Sequence, residues 1–173
     1  RRVLFRSFCE GVDLNSYLVR ECEAFAVLAR HLGRNKEAEE FEKLAASRKE
    51  AINRWCWDED EGIYYDYHAY DHAPIKVKHV GVFAALWAEI ADPEQASRLV
   101  EEHLFNEKEF ARPFPIPALA ATEPGYRAGY LTGETRECCS WRAHTWMPTN
   151  YYSFQGLRRY NFDQHAATLA KQS

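Results

Sequence analysis

The sequence predicts an all-α fold of three helical hairpins that form part of an α/α toroid. Apolar residues recur at three- and four-residue spacing in six segments, which is the pattern of amphipathic helices. Short turns alternate with long connections along the chain. If the short turns join the helices of each pair, all long connections lie on one face of the array, as in a toroid of hairpins. Three hairpins alone leave the ring open.

The first hairpin is predicted from Leu14 to Trp55. Its first helix has apolar positions at helical spacing, with Asp13 as the expected N-cap and Gly33 as the end. A short turn leads to a second helix rich in Glu and Lys, which can form ion pairs one turn apart. These features together predict two antiparallel helices.

Two further hairpins follow. One is predicted over residues 77–91 and 93–104, with Pro93 at the first helical position behind Asp92. The other spans 148–160 and then runs from a cap near Asp163 to the end of the chain. Tetratricopeptide or HEAT solenoids also stack hairpins, but their repeats have fixed length and short connections. The long, unequal connections here favour the toroid.

The composition indicates a globular protein without a nucleic-acid or membrane signature. The 173 residues are 46% hydrophobic and carry a net charge of −4, with acids and bases interspersed. No apolar run reaches the ~20 residues that span a bilayer. Five cysteines, an odd count whose only close pair is vicinal, make a poor disulfide framework. We therefore expect a cytoplasmic protein that binds neither nucleic acid nor membranes.

The first seven residues, 1–7, are interpreted as foreign to the fold. Their sequence, RRVLFRS, resembles the translation of a sequencing-library adapter. The domain is therefore assigned to residues 8–173. We expect the natural protein to extend upstream of Phe8 and, because Ser173 ends inside a helical pattern, downstream as well.

The first long connection, 57–76, mixes aromatic and acidic residues in the segment WCWDEDEGIYYDYHAYDH. A pyranose offers C–H faces that stack on aromatic rings and hydroxyls that bond to carboxylates, so this mixture suits a sugar site. Consecutive acids such as Asp58 to Glu61 more commonly lie in water. Asp66, placed between tyrosines, is the better candidate for a sugar contact.

The second long connection, 105–147, ends in aromatic and basic residues directly before a helix. The segment ECCSWRAHTWMPTNYY contains Trp141, Arg142, His144 and Trp146. An indole platform beside a guanidinium can hold a sugar ring by stacking and by a bidentate hydrogen bond. Either tryptophan can instead plug the base of the helical array.

Five motifs, taken in order, resemble the trehalases and the family 63 glycosidases, a group that includes glucosidases and mannosylglycerate hydrolase. They are VDLNSYL, WDEDEGIYYDY, FARPFPIPALAATEPGY, SWRAHTWMPTNYY and GLRRYNFDQHAATLA. The resemblance implies an (α/α)6 barrel that hydrolyses an exo-glycosidic bond with inversion, using an Asp as general acid and a Glu as general base. The sequence reads WRAHTW where family 63 has WRGPVW, with Ala143 and His144 in place of Gly and Pro. Trehalase is the more distant match.

The resemblance also implies which residues contact substrate. Carried over motif by motif, these are Asp13, Asn15, Tyr65, Asp66, Trp141 and Arg142, with His144 and Trp146 beside them. Asp13 has an alternative role as a helix cap. The acid is implied upstream of VDLN and the base beyond Ala166 to Ala170, so no catalytic residue is assigned to this chain. Since inversion needs two carboxylates roughly 6.5 to 9.5 Å apart, we expect the isolated chain to be inactive.

Other functions remain open. A non-catalytic carbohydrate-binding or hairpin interaction protein would carry the same loops without the flanking carboxylates. A sugar epimerase on a similar barrel would need histidines as its acid and base, and His144 is the loop histidine placed for that role. Glu134 and Glu137 flank the tryptophan motif as further candidates for acid–base chemistry.

Histidines are the only hint of a metal site. His68, His72 and His79 have spacings that a metal can use, but no second ligand cluster converges on them in the sequence. No metal or cofactor is predicted. The expected partner is an oligosaccharide or a small glycoside, and the oligomeric state stays open.

Overall fold

The structure is a computed structural model that describes residues 8–126 and 142–173. The helices of this part are α1 (Val12–His31), α2 (Asn35–Trp55), α3 (Ala84–Trp87), α4 (Pro93–Arg98), α5 (Met147–Arg159) and α6 (Asp163–Gln172). A 3₁₀ turn, Val80–Phe83, precedes α3, and a π-helical segment, Leu99–Leu104, continues α4. The all-α prediction of three hairpins is confirmed.

The hairpins form two layers. Helices α1, α3 and α5 lie side by side in one layer, and α5 approaches α3 so closely that a Cβ at Gly156 would lie 2.7 Å from the Cβ of Leu86. The second helix of each hairpin packs behind the first. In this outer layer the rings of Phe105 and His165 lie 4.5 Å apart, which joins the end of the π-helical segment to α6. Two layers of hairpins are the architecture of an α/α toroid segment.

The core lies between the layers and extends under the long connections. Phe83 and Phe110 are fully buried and meet edge to face with their ring centroids 4.9 Å apart. Ile116 is also fully buried. Burying side chains of this size contributes about 1.5–3 kcal/mol each. The connection that supplies Phe110 and Ile116 is therefore anchored by its own core residues.

The first long connection contains short strands that the sequence reading did not predict. Two antiparallel sheets form, one with the order β1-β4-β5 and the other pairing β2 with β3. The strands are β1 (Cys9–Glu10), β2 (Trp57–Asp58), β3 (Ile63–Tyr64), β4 (Asp66–His68) and β5 (Ala73–Ile75). Runs of two or three residues are too short for an alternating pattern to stand out. Their effect is to hold β4 against the start of α1.

The predicted cap of α1 is wrong, and the cap of α6 lies one residue before Asp163. The N-cap of α1 is Gly11, and Asp13 lies in the first turn. The carboxylate that binds the first amide of α1 comes instead from Asp66 on β4. At α6 the N-cap is Phe162, and Asp163 is the first helical residue, where its exposed carboxylate lies 3.9 Å from the Arg158 guanidinium.

The cap of α4 is confirmed. Asp92 accepts hydrogen bonds from the amides of Glu94 and Gln95, and the Gln95 side chain accepts one from the Asp92 amide. This is a capping box with Pro93 at the first helical position, as the sequence predicts.

The helix predicted over 77–91 is shorter than expected. Residues 78 and 79 are extended because this segment pairs with residues 118–120: the Val80 amide donates to the Ala118 carbonyl, and the Ala120 amide donates to the Lys78 carbonyl. Helical structure begins only at Val80. Both long connections therefore meet at the same end of the array, where α1, the 3₁₀ turn and α5 begin, which confirms that they share one face.

Large apolar side chains are exposed along the two outermost hairpins. Leu28 and Leu32 on α1 are 55% and 73% exposed, and Tyr151 on α5 is 64% exposed. A closed ring would cover such side chains, so their exposure fits an open segment of a toroid. Within the described ranges, none of the helices combines the length and apolar character needed to cross a bilayer.

Candidate functional site

A cavity of about 160 Å³ lies where the first layer of helices begins. Helix α1, the 3₁₀ turn, the second long connection and α5 all contribute to it. Its lining residues are Asp13, Tyr17, His79, Val80, Gly81, Ala118, Leu119, Thr149 and Tyr152. Each of the three hairpins or its adjoining loop thus supplies part of one cavity.

Asp13 is the one carboxylate among the described lining residues. Its Oδ1 accepts a hydrogen bond of 2.6 Å from the Leu14 amide. Within residues 8–126 and 142–173 it forms no salt bridge, so the carboxylate can accept hydrogen bonds from a ligand. The polar chemistry of the cavity suits hydroxyl groups.

Two tyrosines form the aromatic side of the cavity. Tyr17 and Tyr152 meet edge to face with their ring centroids 6.0 Å apart, and the Tyr152 hydroxyl donates to the Val80 carbonyl. Burial raises the pKa of both tyrosines, and the charge of Asp13 raises it further, so both hydroxyls are neutral donors. Tyr152 is buried, whereas Tyr17 is 39% exposed and can offer its ring to a ligand.

His79 links the cavity to Asp66. Its Nδ1 accepts a hydrogen bond from the Gly81 amide, and its Nε2 lies 3.2 Å from Asp66 Oδ2. The amide donor at Nδ1 places the proton of the neutral ring on Nε2, toward the carboxylate. A Cβ at Gly81 would lie 2.7 Å from the His79 ring, so only glycine lets the imidazole take this position.

Asp66 lies behind His79 and does not line the cavity. Its Oδ1 accepts a 2.9 Å hydrogen bond from the Val12 amide, and the Cys9 thiol contacts Oδ2 at 3.8 Å. Burial alone would raise the pKa of Asp66, but His79 and the Val12 amide outweigh it, and the pKa lies below its ordinary value. The carboxylate is therefore charged at neutral pH.

The far wall of the cavity is a three-segment extended layer. Leu119 pairs with His79 on one side, and Pro117 pairs with Thr145 on the other, both antiparallel. The Leu119 amide donates to the Arg142 carbonyl, and the Ala118 amide donates to the His144 carbonyl. Arg142 and His144 of the tryptophan motif thus support this wall through their backbone carbonyls.

The structure separates the predicted contact residues. Of the eight, Asp13 alone appears among the described lining residues, while Trp141 lies outside the described residues. Arg142 and His144 adjoin the wall as described above, and Trp146 is the N-cap residue of α5. Which of these positions contacts substrate stays a prediction.

Tyr65 and Asn15 lie away from the cavity. Tyr65 is buried, and its hydroxyl donates to Glu61 Oε2 at 2.7 Å. Asn15 donates to the Gly11 carbonyl and lines a separate cavity of about 430 Å³ between β4 and the first hairpin. In the described structure both residues support the loops around the site.

Sequence reasoning missed four lining side chains: Tyr17, His79, Thr149 and Tyr152. Tyr17 was assigned to the apolar face of α1, and His79 was considered only as a metal ligand. The one available signal is that Asp13 and Tyr17 are four residues apart, which puts them on the same face of a helix.

The metal alternative gains no support. In the described segments no three His, Cys, Asp or Glu side chains are grouped as metal ligands. His68 lies 2.8 Å from Asp71, and His79 contacts Asp66, so these two histidines pair with different carboxylates.

Layered hairpins that share a cavity at one end define an α/α-toroid protein. Residues 2–173 match the mannosylglycerate hydrolase MGH1-like glycoside hydrolase domain, and the chain belongs to this family. Its fold is that of the six-hairpin glycosidases related to family 63, as the resemblance implies. The fold-class and family predictions are confirmed together.

Curated relatives include two glycosidases. The chain is 34% identical over 174 residues to a cytosolic neutral trehalase of Kluyveromyces lactis and covers 22% of its length. It is 29% identical over 160 residues to a mannosylglycerate hydrolase of Rubrobacter radiotolerans and covers 34% of that protein. These alignments include 95% and 92% of this chain. The chain thus spans between about a fifth and a third of the length of these relatives.

Solved structures agree on the fold. A family 63 mannosylglycerate hydrolase from Thermus thermophilus, in complex with Tris, superposes with a TM-score of 0.80 at 25% identity, over 95% of this chain and 36% of that one. The same enzyme has been solved in complex with glucose and with Tris and D-glycerate. A neutral trehalase from Saccharomyces cerevisiae superposes with a TM-score of 0.77 at 21% identity, over 95% of this chain and 30% of that one.

Proposed function

We propose that this chain forms part of the substrate pocket of an inverting, exo-acting glycoside hydrolase. The supporting observation is the convergence of Asp13, Tyr17 and His79, from two hairpins, on one cavity. A carboxylate, an exposed aromatic ring and an imidazole are the groups that bind sugar hydroxyls and C–H faces. The cavity provides part of the pocket wall and a subsite for the non-reducing end of the substrate.

The proposed substrate is a small glycoside. At about 160 Å³ the cavity is smaller than the roughly 300–1,000 Å³ of pockets for drug-sized ligands, which suits a single sugar unit. The matched relatives act on mannosylglycerate and, as trehalases, on trehalose. Mannosylglycerate and trehalose are therefore the first compounds to test.

The catalytic carboxylates are proposed to come from outside this chain. Inverting hydrolysis needs an acid and a base roughly 6.5–9.5 Å apart on opposite sides of the sugar. Asp13 is the single carboxylate among the described lining residues, which is one group too few for this mechanism. We propose that residues 8–173 belong to one larger catalytic domain and that the isolated chain does not hydrolyse glycosides.

A reducing compartment is proposed for the protein. Cys9, Cys22 and Cys56 are free thiols among the described cysteines. Burial raises the pKa of Cys9 to about 11 and that of Cys56 to about 12, so neither is a reactive thiolate at neutral pH. The K. lactis relative is a cytosolic enzyme, which agrees with a cytoplasmic location.

The proposal is tested by calorimetric titration of the chain with mannosylglycerate, trehalose, glucose and D-glycerate. We expect one of these compounds to bind, and Asp13→Asn to weaken its binding by about tenfold, as expected for loss of a charged hydrogen bond. Glu21→Gln, on the exposed face of the same helix, is the matched control and should bind as the unaltered chain does.

Two results would count against this function. Equal affinity of the Asp13→Asn and Glu21→Gln variants for the sugar would show that this cavity does not bind it. Sugar release by the isolated chain from mannosylglycerate or trehalose would contradict the proposal that the catalytic pair lies elsewhere. If the chain binds a sugar but the longer natural protein contains no catalytic acid and base, the non-catalytic carbohydrate-binding alternative is favoured.

A further inference from the structure

A buried ionic network lies behind the extended wall of the cavity. The Glu109 side chain is 9% exposed. Its Oε1 accepts a 2.7 Å hydrogen bond from Lys78 Nζ, and its Oε2 lies 2.7 Å from His103 Nδ1. Burial alone would raise the pKa of Glu109, but the His103 and Lys78 contacts outweigh it and lower the pKa. One carboxylate therefore joins two basic side chains from different elements.

The third contact of the network reaches the first long connection. His103 Nε2 lies 2.8 Å from the Glu61 carbonyl oxygen. Both ring nitrogens thus face acceptor oxygens, and both contacts are satisfied only when the ring is doubly protonated. The ring is 5% exposed, and its one carboxylate contact is Glu109 among the described residues.

The network is connected to the wall through the backbone of Glu109 and of Lys78. The Glu109 carbonyl accepts from the Ala121 amide, and the Lys78 carbonyl accepts from the Ala120 amide. The Lys78 amide donates to the Glu123 carboxylate, and the next residue is His79, which lines the cavity. The Glu109–Lys78 contact therefore sets the spacing between the two segments that face a ligand.

We propose that Glu109 is a positioning residue for the cavity, holding His79 and Leu119 in place through Lys78 and the backbone pairing of residues 78–80 with 118–120. Its effect on sugar affinity rests on the proposed function, whereas its effect on the wall does not. No part of this role requires Glu109 to contact the substrate.

The variant Glu109→Gln keeps the shape of the side chain and removes its charge. A glutamine amide offers one oxygen, which can accept from Lys78, and one NH₂ group, which can face His103 Nδ1 only when that nitrogen carries no proton; in either case the ion pair with Lys78 is lost. The wall should loosen locally while the distant helices stay intact. Glu102→Gln is the matched control, because Glu102 pairs with Arg98 at the surface and is one residue from His103.

The test is amide hydrogen exchange of the chain, followed residue by residue by nuclear magnetic resonance. In Glu109→Gln we expect the amides of Val80, Ala120 and Ala121 to exchange at least about tenfold faster, and the amide of Cys22 in α1 to be unchanged. Glu102→Gln should exchange as the unaltered chain does. If Glu109→Gln does not fold, His103→Gln removes one of the two contacts and should give the same local pattern with a smaller amplitude.

A titration with mannosylglycerate and trehalose accompanies the exchange measurement. The positioning role predicts about tenfold weaker binding in Glu109→Gln for the compound that binds. If exchange accelerates equally at Cys22 and at the wall, Glu109 contributes only to general stability and the proposal is overturned. Unchanged exchange rates of the wall amides would overturn it as well. If the unaltered chain binds neither compound while the local acceleration is present, the proposed function fails and the positioning of the wall stands.

Discussion

The Asp66 carboxylate lies 2.9 Å from the Val12 amide, so a side chain 54 residues away in sequence binds the first amide of helix α1. The same carboxylate lies 3.2 Å from His79 Nε2. One group therefore orients both a helix start and a histidine of the cavity. This links the short sheet of the first connection to the geometry of the candidate site.

Replacing Asp66 by Asn should lower the free energy of unfolding by about 1–3 kcal/mol, because a partly buried, charged hydrogen bond at a helix N-terminus is lost. Urea denaturation measures this change. Asp71→Asn is the control, since the Asp71 carboxylate is 65% exposed and lies 2.8 Å from His68 Nδ1. Equal stability of the two variants would show that Asp66 does not hold α1.

Acid should remove the same contribution. The folded pKa of Asp66 is lowered, so its stabilising effect is fully present above the unfolded pKa of about 3.9 and is lost as the pH falls through the folded value. We expect the difference in unfolding free energy between the chain and Asp66→Asn to increase as the pH falls from 7 to about 5, because Asp66 raises the pKa of His79 against the opposing effect of burial, and to shrink below pH 4 as Asp66 itself is protonated. A difference that does not shrink below pH 4 would contradict this assignment.

Gly62 should tolerate alanine less well than Gly33. Both have positive φ, but a Cβ at Gly33 meets nothing within 4 Å, whereas one at Gly62 would lie 2.6 Å from the Arg98 guanidinium. Gly33→Ala should cost about 1–2 kcal/mol from backbone strain alone. Gly62→Ala should cost more, because Arg98 must leave the Glu59 carbonyl. Thermal melts of the two variants compare them directly, and equal losses would show that the Arg98 contact has no effect.

The exposed apolar side chains of α1 should promote self-association. Leu28 and Leu32 lie on the same face one turn apart and are 55% and 73% exposed. The double variant Leu28→Lys, Leu32→Lys should reduce the apparent mass in concentration-dependent light scattering without lowering the melting temperature. Glu39→Lys, on α2, is a control for the change in charge. Unchanged association in the double variant would place the contact surface elsewhere.

The helical architecture could be predicted from the sequence because long amphipathic helices repeat their pattern many times. Helix α2 spans 21 residues and ends at Trp55, as predicted. The cap at Asp92 was also predictable, because all of its partners lie within three residues. Local signals of this kind do not depend on the rest of the fold.

The site could be predicted only in part because its contacts are distant in sequence. Asp13 was predicted as the cap of α1 because it precedes the apolar pattern, but the carboxylate that binds the first amide comes from Asp66 on β4. The first residues of the helix predicted over 77–91 are extended instead, because they pair with residues 118–120. Hydrophobic periodicity cannot detect this long-range pairing. The role of His79 likewise depends on Asp66 and Gly81 being brought to its two nitrogens.

The most direct test of the central claim is to locate the bound sugar. Amide shifts of the isotopically labelled chain would be recorded during titration with mannosylglycerate and with trehalose. The account predicts that, for the compound that binds, the largest changes fall at Asp13, His79, Gly81 and Leu119, with little change at the Asn15 side of the first hairpin. Changes centred on the cavity that contains Asn15 and Trp55, or none at saturating sugar, would contradict it.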